Sequence, residues 1–252
     1  MSNIKNKTFD SLISYYNKDK NLKKFVEVCK AMVKAPNSTP EMRGEVCESV
    51  LYVILTDFIE RNNLKDWRVS KGLILKDINS PKDSRFLTEL DLILFTPRCI
   101  FSFECKSYRG KKYLDEKGTL FVKSGNKYKK KLDVFNQHYN HFKVLNTNLS
   151  CALLNPPNDA NTKQYKSHRL LYFDFGDIPT EDKREDLYKQ VFPICNVNNV
   201  YSLFRDYSKR PKYWNMDLVN RVVDIIEQAS EKNTRNHLNY VTSLHNRNGK
   251  RR

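Results

Sequence analysis

Thr88-Glu89-Leu90-Asp91-Leu92-Ile93-Leu94-Phe95, then Thr96-Pro97-Arg98, then Cys99-Ile100-Phe101-Ser102-Phe103-Glu104-Cys105-Lys106 is the stretch whose reading decides the fold. Two apolar runs of strand length flank a short connection containing proline, which predicts a hairpin. Strand side chains alternate faces with a period of two, so Glu104 and Lys106 share a face. In a hairpin Asp91 comes close to Glu104. On the same alternation Asp91, Ile93 and Phe95 share one face of the first strand, and Leu90, Leu92 and Leu94 the other. Both faces are largely apolar, which marks a central strand covered on both sides. An aspartate there is costly unless it is paired or bound to metal. The bland alternative is a Glu104–Lys106 ion pair at a strand's exposed end, and Asp91 weighs against it.

Upstream, Ser38, Pro40 and Glu41 form a helix-start signature. The helix they open runs from about Pro40 to Arg61, with a stripe of Met42, Val46, Val50, Ile54 and Phe58. Glu45 and Glu48, three apart, share a face of it. They are either a solvated acidic face or further acids for the hairpin's site. Residues 1–37 predict one or two packing helices, and Trp67 to Leu75 a first strand.

Downstream, Lys106 to Lys131 holds ten basic and two acidic residues, a net +8, half of the chain's +16. Tyr108, Tyr113, Phe121 and Tyr128 interleave, and Gly118 and Gly125 mark hairpin turns. Basic residues contact phosphates and aromatics stack on bases, so Arg109, Lys111, Lys112, Lys123, Lys129 and Lys130 are read as nucleic-acid contacts. A helix follows at about Leu132–Asn146, its stripe read as Phe135, Tyr139, Phe142 and Leu145. His138 and His141 are read as a surface pair, because a zinc site needs a third ligand. Cys151–Leu154, Leu170–Phe175 and Val191–Asn196 read as strands, and Val200–Tyr207 as a short helix. An amphipathic helix spans Asp217–Ala229, and after Ser230 the chain reads as a flexible basic tail.

The 252 residues, 39% of them hydrophobic, suffice for one sizeable core with extensions. These divide as a helical extension at 1–40, a central domain at 41–207, and a C-terminal helix and tail at 208–252. A charge of +16 favours a polyanionic partner, nucleic acid above an anionic membrane. Six cysteines without a C-x-x-C pair read as buried, reduced thiols in a cytoplasmic protein. No apolar h-region opens the chain and no run reaches membrane-spanning length, so no membrane association is expected. A homodimer or a larger assembly stays open.

Two acids and a lysine at strand ends suit phosphodiester hydrolysis. A divalent cation held by one or two carboxylates activates the water and neutralises the leaving oxygen. Asp91 and Glu104 are the expected Mg²⁺ (or Mn²⁺) ligands, with the carbonyl of Cys105 between them as a third. Lys106 orients or deprotonates the water and offsets negative charge. Glu45 or Glu48 extends the site.

The order of an acid-bearing helix, a strand with aspartate and then Glu-x-Lys resembles the PD-(D/E)xK nucleases, and within them the nuclease-related domain (NERD) family. The matching residues are Gly44-Glu45 with Glu48, Leu90-Asp91, Glu104-Cys105-Lys106 with Tyr108 and Gly110, and Gln137. Leu92 departs from the family's frequent histidine, and its tryptophan after the glycine is absent. The resemblance implies an α/β fold: a three-layer α/β/α restriction-endonuclease-like core on a mixed sheet. It also implies Mg²⁺-dependent cleavage, of DNA, and Gln137 as a site residue. Two other functions compete. One is a non-catalytic nucleic-acid-binding module on the same fold; the other is an adaptor acting through the C-terminal helix and tail.

Overall fold

The computed structural model describes residues 2–77, 87–152, 168–212 and 214–249. Three helices come first: α1 (Ser2–Asp19), α2 (Leu22–Lys34) and α3 (Pro40–Arg61). Six strands follow: β1 (Arg68–Lys76), β2 (Leu87–Phe95), β3 (Ile100–Lys106), β4 (Lys112–Leu114), β5 (Thr119–Ser124) and β6 (Lys127–Asp133). The remainder is α4 (Val134–Ala152), β7 (His168–Asp174), β8 (Glu181–Asp182), α5 (Asp186–Val191), β9 (Ile194–Cys195), α6 (Val200–Ser208) and α7 (Met216–Gly249).

Five strands make a mixed sheet in the order β1-β2-β3-β7-β9. The first three are antiparallel, and β7 and β9 add in parallel. The hairpin closes at Thr96, whose hydroxyl donates to the Cys99 carbonyl (2.8 Å) and accepts from the Cys99 N–H (3.0 Å). Helices cover both faces. Leu92, Leu94, Phe101, Phe103 and Cys105 pack on one side with α1, α2, α3 and α6. Leu73, Leu75, Leu90, Ile93, Phe95 and Ile100 pack on the other with α4 and α7. This is the expected three-layer α/β/α core with helical extensions. A second sheet, β6-β5-β4-β8, stands beside it, with positive φ at Gly118 (+81°) and Gly125 (+61°) where hairpin turns are predicted.

Local chemistry explains the elements. Thr39, not Ser38, caps α3, its hydroxyl accepting from the Met42 N–H at 3.2 Å. Ser38 instead points back to the Val33 carbonyl at the end of α2. The Asp57 carboxylate, buried on α3, accepts from the Tyr16 hydroxyl, from Arg61 (2.9 Å) and from the Tyr201 hydroxyl (3.3 Å), tying α1 and α6 to α3. Phe204 of α6 sets its ring against Phe101 at 5.0 Å and Phe103 at 6.0 Å.

Three expectations change. Cys151 and Ala152 end α4 and are not strand; Leu153 and Leu154 lie outside the described residues. The C-terminal helix does not stop at Ala229 but runs to Gly249, so the stretch after Ser230 read as tail is helix, and Lys250–Arg252 lie outside the described residues. Nor is that helix an appendage. β1 is an edge strand, and α7 lies along it. Ser230 Oγ accepts from the Ile74 N–H (2.8 Å), Asn233 donates to the Ile74 carbonyl (3.0 Å), and Ser70 donates to Glu227 (2.7 Å). The helix thus meets backbone groups that an edge strand otherwise leaves open.

Candidate active site

The pairing of β1 with β2 skips one position. Lys71 pairs with Leu92 and Leu73 with Leu90, while Gly72, at φ +60°, lies opposite Asp91. Side-chain alternation breaks there. Leu90, Ile93 and Phe95 pack with α4 and α7, and Leu92 and Leu94 with α3. The expectation that Leu90 shares a face with Leu92 and Leu94 is therefore corrected: it packs with Ile93 and Phe95. Asp91 sits at the break, where β2–β3 pairing has just ended at Leu92–Phe103. Its carboxylate accepts the Cys105 N–H at 2.8 Å in place of a strand partner. Without a Cβ, Gly72 takes this backbone conformation at little cost.

Glu104 is 1% exposed and faces α4. Lys106, two residues on, donates to Oε1 at 2.5 Å, and His141 Nδ1 of α4 lies 3.2 Å from Oε2. Burial and then the Glu104 charge push the Asp91 carboxyl up to about 6. Burial pushes Glu104 up too, but its His141 hydrogen bond and the Lys106 charge prevail and hold it low, at about 2. Burial works against the Lys106 ammonium, yet Glu104 and Asp91 outweigh it and hold it protonated beyond its ordinary range. Two carboxylates with opposed titration and one ammonium are thus brought together as the sequence predicts.

Glu48 lies on α3 with its carboxylate 3.6 Å from Lys71, a neighbour of Gly72. Burial and then the Cys47 thiol raise the pKa of the Cys105 thiol, and the charges of Asp91 and Glu48 add to the rise. Glu45 is buried three residues earlier on the same helix. Gln137 is half-buried one turn before His141 and has no hydrogen bond to Asp91, Glu104 or Lys106 among the described residues.

The expected surface pair on α4 is corrected: neither His138 nor His141 is a surface residue. His138 is fully buried, with Nε2 3.1 Å from Ser102 Oγ and its ring against Phe192. Burial lowers its pKa to about 3, so the ring is neutral. His141 touches Glu104. The buried stripe of α4 is Val134, His138, Leu145 and Leu149, whereas Tyr139, placed on the stripe by the sequence, is 41% exposed. The missed signal is spacing: His138 falls four residues after Val134 and seven before Leu145.

Two cations leave the nucleic-acid set. Arg109 donates to the Val33 carbonyl (2.8 and 2.6 Å) and to that of Ala35, closing the end of α2. Lys112 is buried at 3% exposure, bonded to the Ile178 carbonyl and 3.4 Å from Asp174. Both charges are spent inside the fold. Lys111, Lys123, Lys129 and Lys130 are exposed on the second sheet.

A hard divalent cation fits the donors at this site. Asp91 and Glu104 offer carboxylate oxygens. The Cys105 N–H meets Asp91, so strand geometry turns its carbonyl to the same edge. Among the described residues no group of three or more His, Cys, Asp and Glu side chains could hold a metal. Magnesium is commonly held by one or two carboxylates, with water and substrate completing its shell.

A mixed sheet between helical layers, with an acid pair and a lysine where two central strands part, defines a nuclease-like α/β protein. Residues 44–173 match the family model for the nuclease-related domain, and the chain belongs to that family. No curated protein and no solved structure matches it.

Proposed function

We propose that the chain is a metal-dependent nuclease that hydrolyses phosphodiester bonds of nucleic acid, with DNA as the polymer. One observation carries this reading: Asp91 and Glu104 are held side by side where β2 leaves β3, with Lys106 bonded to Glu104. Membership of a nuclease-related family supports it. Asp91, Glu104 and the Cys105 carbonyl would hold Mg²⁺ or Mn²⁺. The ion supplies Lewis acidity and a water of lowered pKa. Lys106, kept cationic by its two neighbours, orients the water and offsets charge growing on the phosphate. His141 fixes the rotamer of Glu104, and Glu48 adds negative potential from α3. Cys29, Cys47, Cys99, Cys105 and Cys195, all buried and free, accord with the cytoplasm as its compartment. Among the described residues no helix is long and apolar enough to cross a membrane.

The test is cleavage of DNA and RNA substrates with Mg²⁺ or Mn²⁺ by wild type and by Asp91→Ala. Turnover lost in the variant is the expected result; two equally inert proteins end the proposal. A second reading, binding without turnover, draws support from Glu104, whose two oxygens already face Lys106 and His141. It predicts salt-sensitive binding that tolerates Lys106→Ala.

A further inference from the structure

The second sheet has two unlike faces. Inward, Leu114, Leu120 and Val122 are buried with Val134, Tyr172 and Phe192. Outward, alternation brings Tyr113, Phe121 and Tyr128 together. Tyr113 pairs with Phe121 across β4 and β5, and their rings stack at 5.1 Å with planes 10° apart. Tyr128 of β6 meets the Tyr113 ring edge-on at 5.0 Å. Tyr113 is the foundation of the group, since the Lys183 ammonium sits 4.2 Å over its ring. Tyr128 is left 43% exposed.

Cations frame these rings. Lys130 lies across from Phe121 and Lys123 across from Tyr128. β6 is an edge strand whose residues Lys127–Lys131 are all exposed. Glu181 shares the face with them, 3.8 Å from Lys183. Ring faces of this kind meet base faces, which a duplex hides within its stack. Lysines beside them meet a backbone phosphate on either side of a stacked base. An acidic protein or an anionic membrane would use the charge and leave the stacked rings without a purpose.

We infer that the outer face of the second sheet is a stacking platform for single-stranded nucleic acid, with bases on Tyr128 and Phe121 and phosphates on Lys123 and Lys130. This deepens the nuclease reading by naming the strandedness of its substrate, and it rests on that reading only for what happens to the bound strand.

The experiment uses the full chain in EDTA, so that no cleavage occurs. Fluorescence anisotropy follows a labelled oligothymidylate and a blunt duplex of equal length. Wild type should bind the single strand more tightly. Tyr128→Ala should weaken single-strand binding roughly tenfold with little change for the duplex. Tyr128→Trp, which keeps a ring, should retain the affinity. Tyr128 is exposed enough for both variants to fold, which circular dichroism checks, and Lys123→Ala supplies an independent probe through a shallower salt dependence. The platform is refuted if Tyr128→Ala binds the single strand as wild type does, if the duplex is preferred, or if phosphatidylserine vesicles compete the oligonucleotide away. Inactivity with Mg²⁺ alongside the expected binding sinks the nuclease reading and leaves the platform. Cleavage with ring-independent binding does the reverse.

Discussion

The two sheets handle charge in opposite ways. The five-stranded sheet is covered on both faces and keeps its acids, Asp91 and Glu104, among apolar strands. The four-stranded sheet is covered on one face only and, Lys112 apart, sets its strand lysines in water. A carboxylate in low dielectric is expensive, so half-buried Asp91 and buried Glu104 each need a partner: the Cys105 N–H for Asp91, Lys106 and His141 for Glu104. A lysine in water is cheap to place and cheap to lose. Side chains of the first sheet should therefore behave as a coupled unit, and those of the second as separate contributors.

The largest effect should come from the coupled unit. Asp91→Ala is expected to cut turnover by roughly two to three orders of magnitude or more, the scale of losing a preorganised electrostatic group. Single-turnover cleavage measures it, and a loss below tenfold would break the contrast between the sheets. His141→Ala should cost about 10- to 100-fold, as partners of metal-binding groups generally do. It should also raise the Mg²⁺ concentration needed for half-maximal activity, which a purely structural role for His141 would leave unmoved.

His138 gives the comparison a pH axis. Its unfolded pKa is 6.5 and its folded value about 3; burial is the main cause, with Glu104 opposing and His141 and Lys106 adding to the fall. A depressed folded pKa contributes stability that is present above pH 6.5 and is lost as pH falls toward 3. Urea unfolding of wild type should thus steepen over that window relative to His138→Gln, by at most about 1.4 kcal/mol per pH unit. Parallel curves would mean that the ring is not held neutral. The smallest effect is assigned to Lys130→Ala on the open sheet. Its stability should change by no more than about 0.5 kcal/mol. The slope of log binding against log salt should fall by about 0.7–0.9, one phosphate contact.

Much of this was legible in the chain. The bounds of α3 follow from Pro40 and the apolar stripe, the site hairpin from two apolar runs, and the second hairpin turn from Gly125. What escaped depends on contacts distant in sequence. Lys112 shares a strand face with Leu114, a local hint of burial, but its partner Asp174 lies 62 residues away. Arg109 serves the end of a helix 74 and 76 residues before it. The Asp91 break needs Gly72 at positive φ on the neighbouring strand, which a period-two pattern read along one strand does not contain. The α4 stripe turns on His138, whose neutral ring packs as an apolar one does, while Tyr139 faces water, a swap that apolar periodicity alone does not show.

The hold of α7 on β1 gives the segment matched to the family, residues 44–173, a different standing. That segment contains Asp91, Glu104 and Lys106 but not Ser230 or Asn233, which occupy the outward backbone groups of Ile74. Cut free, it would carry the acids together with an uncapped strand ready to recruit another strand. The C-terminal helix is thus a guard against self-templating, and the acid–lysine motif and the protection of its sheet edge are written in different parts of the chain.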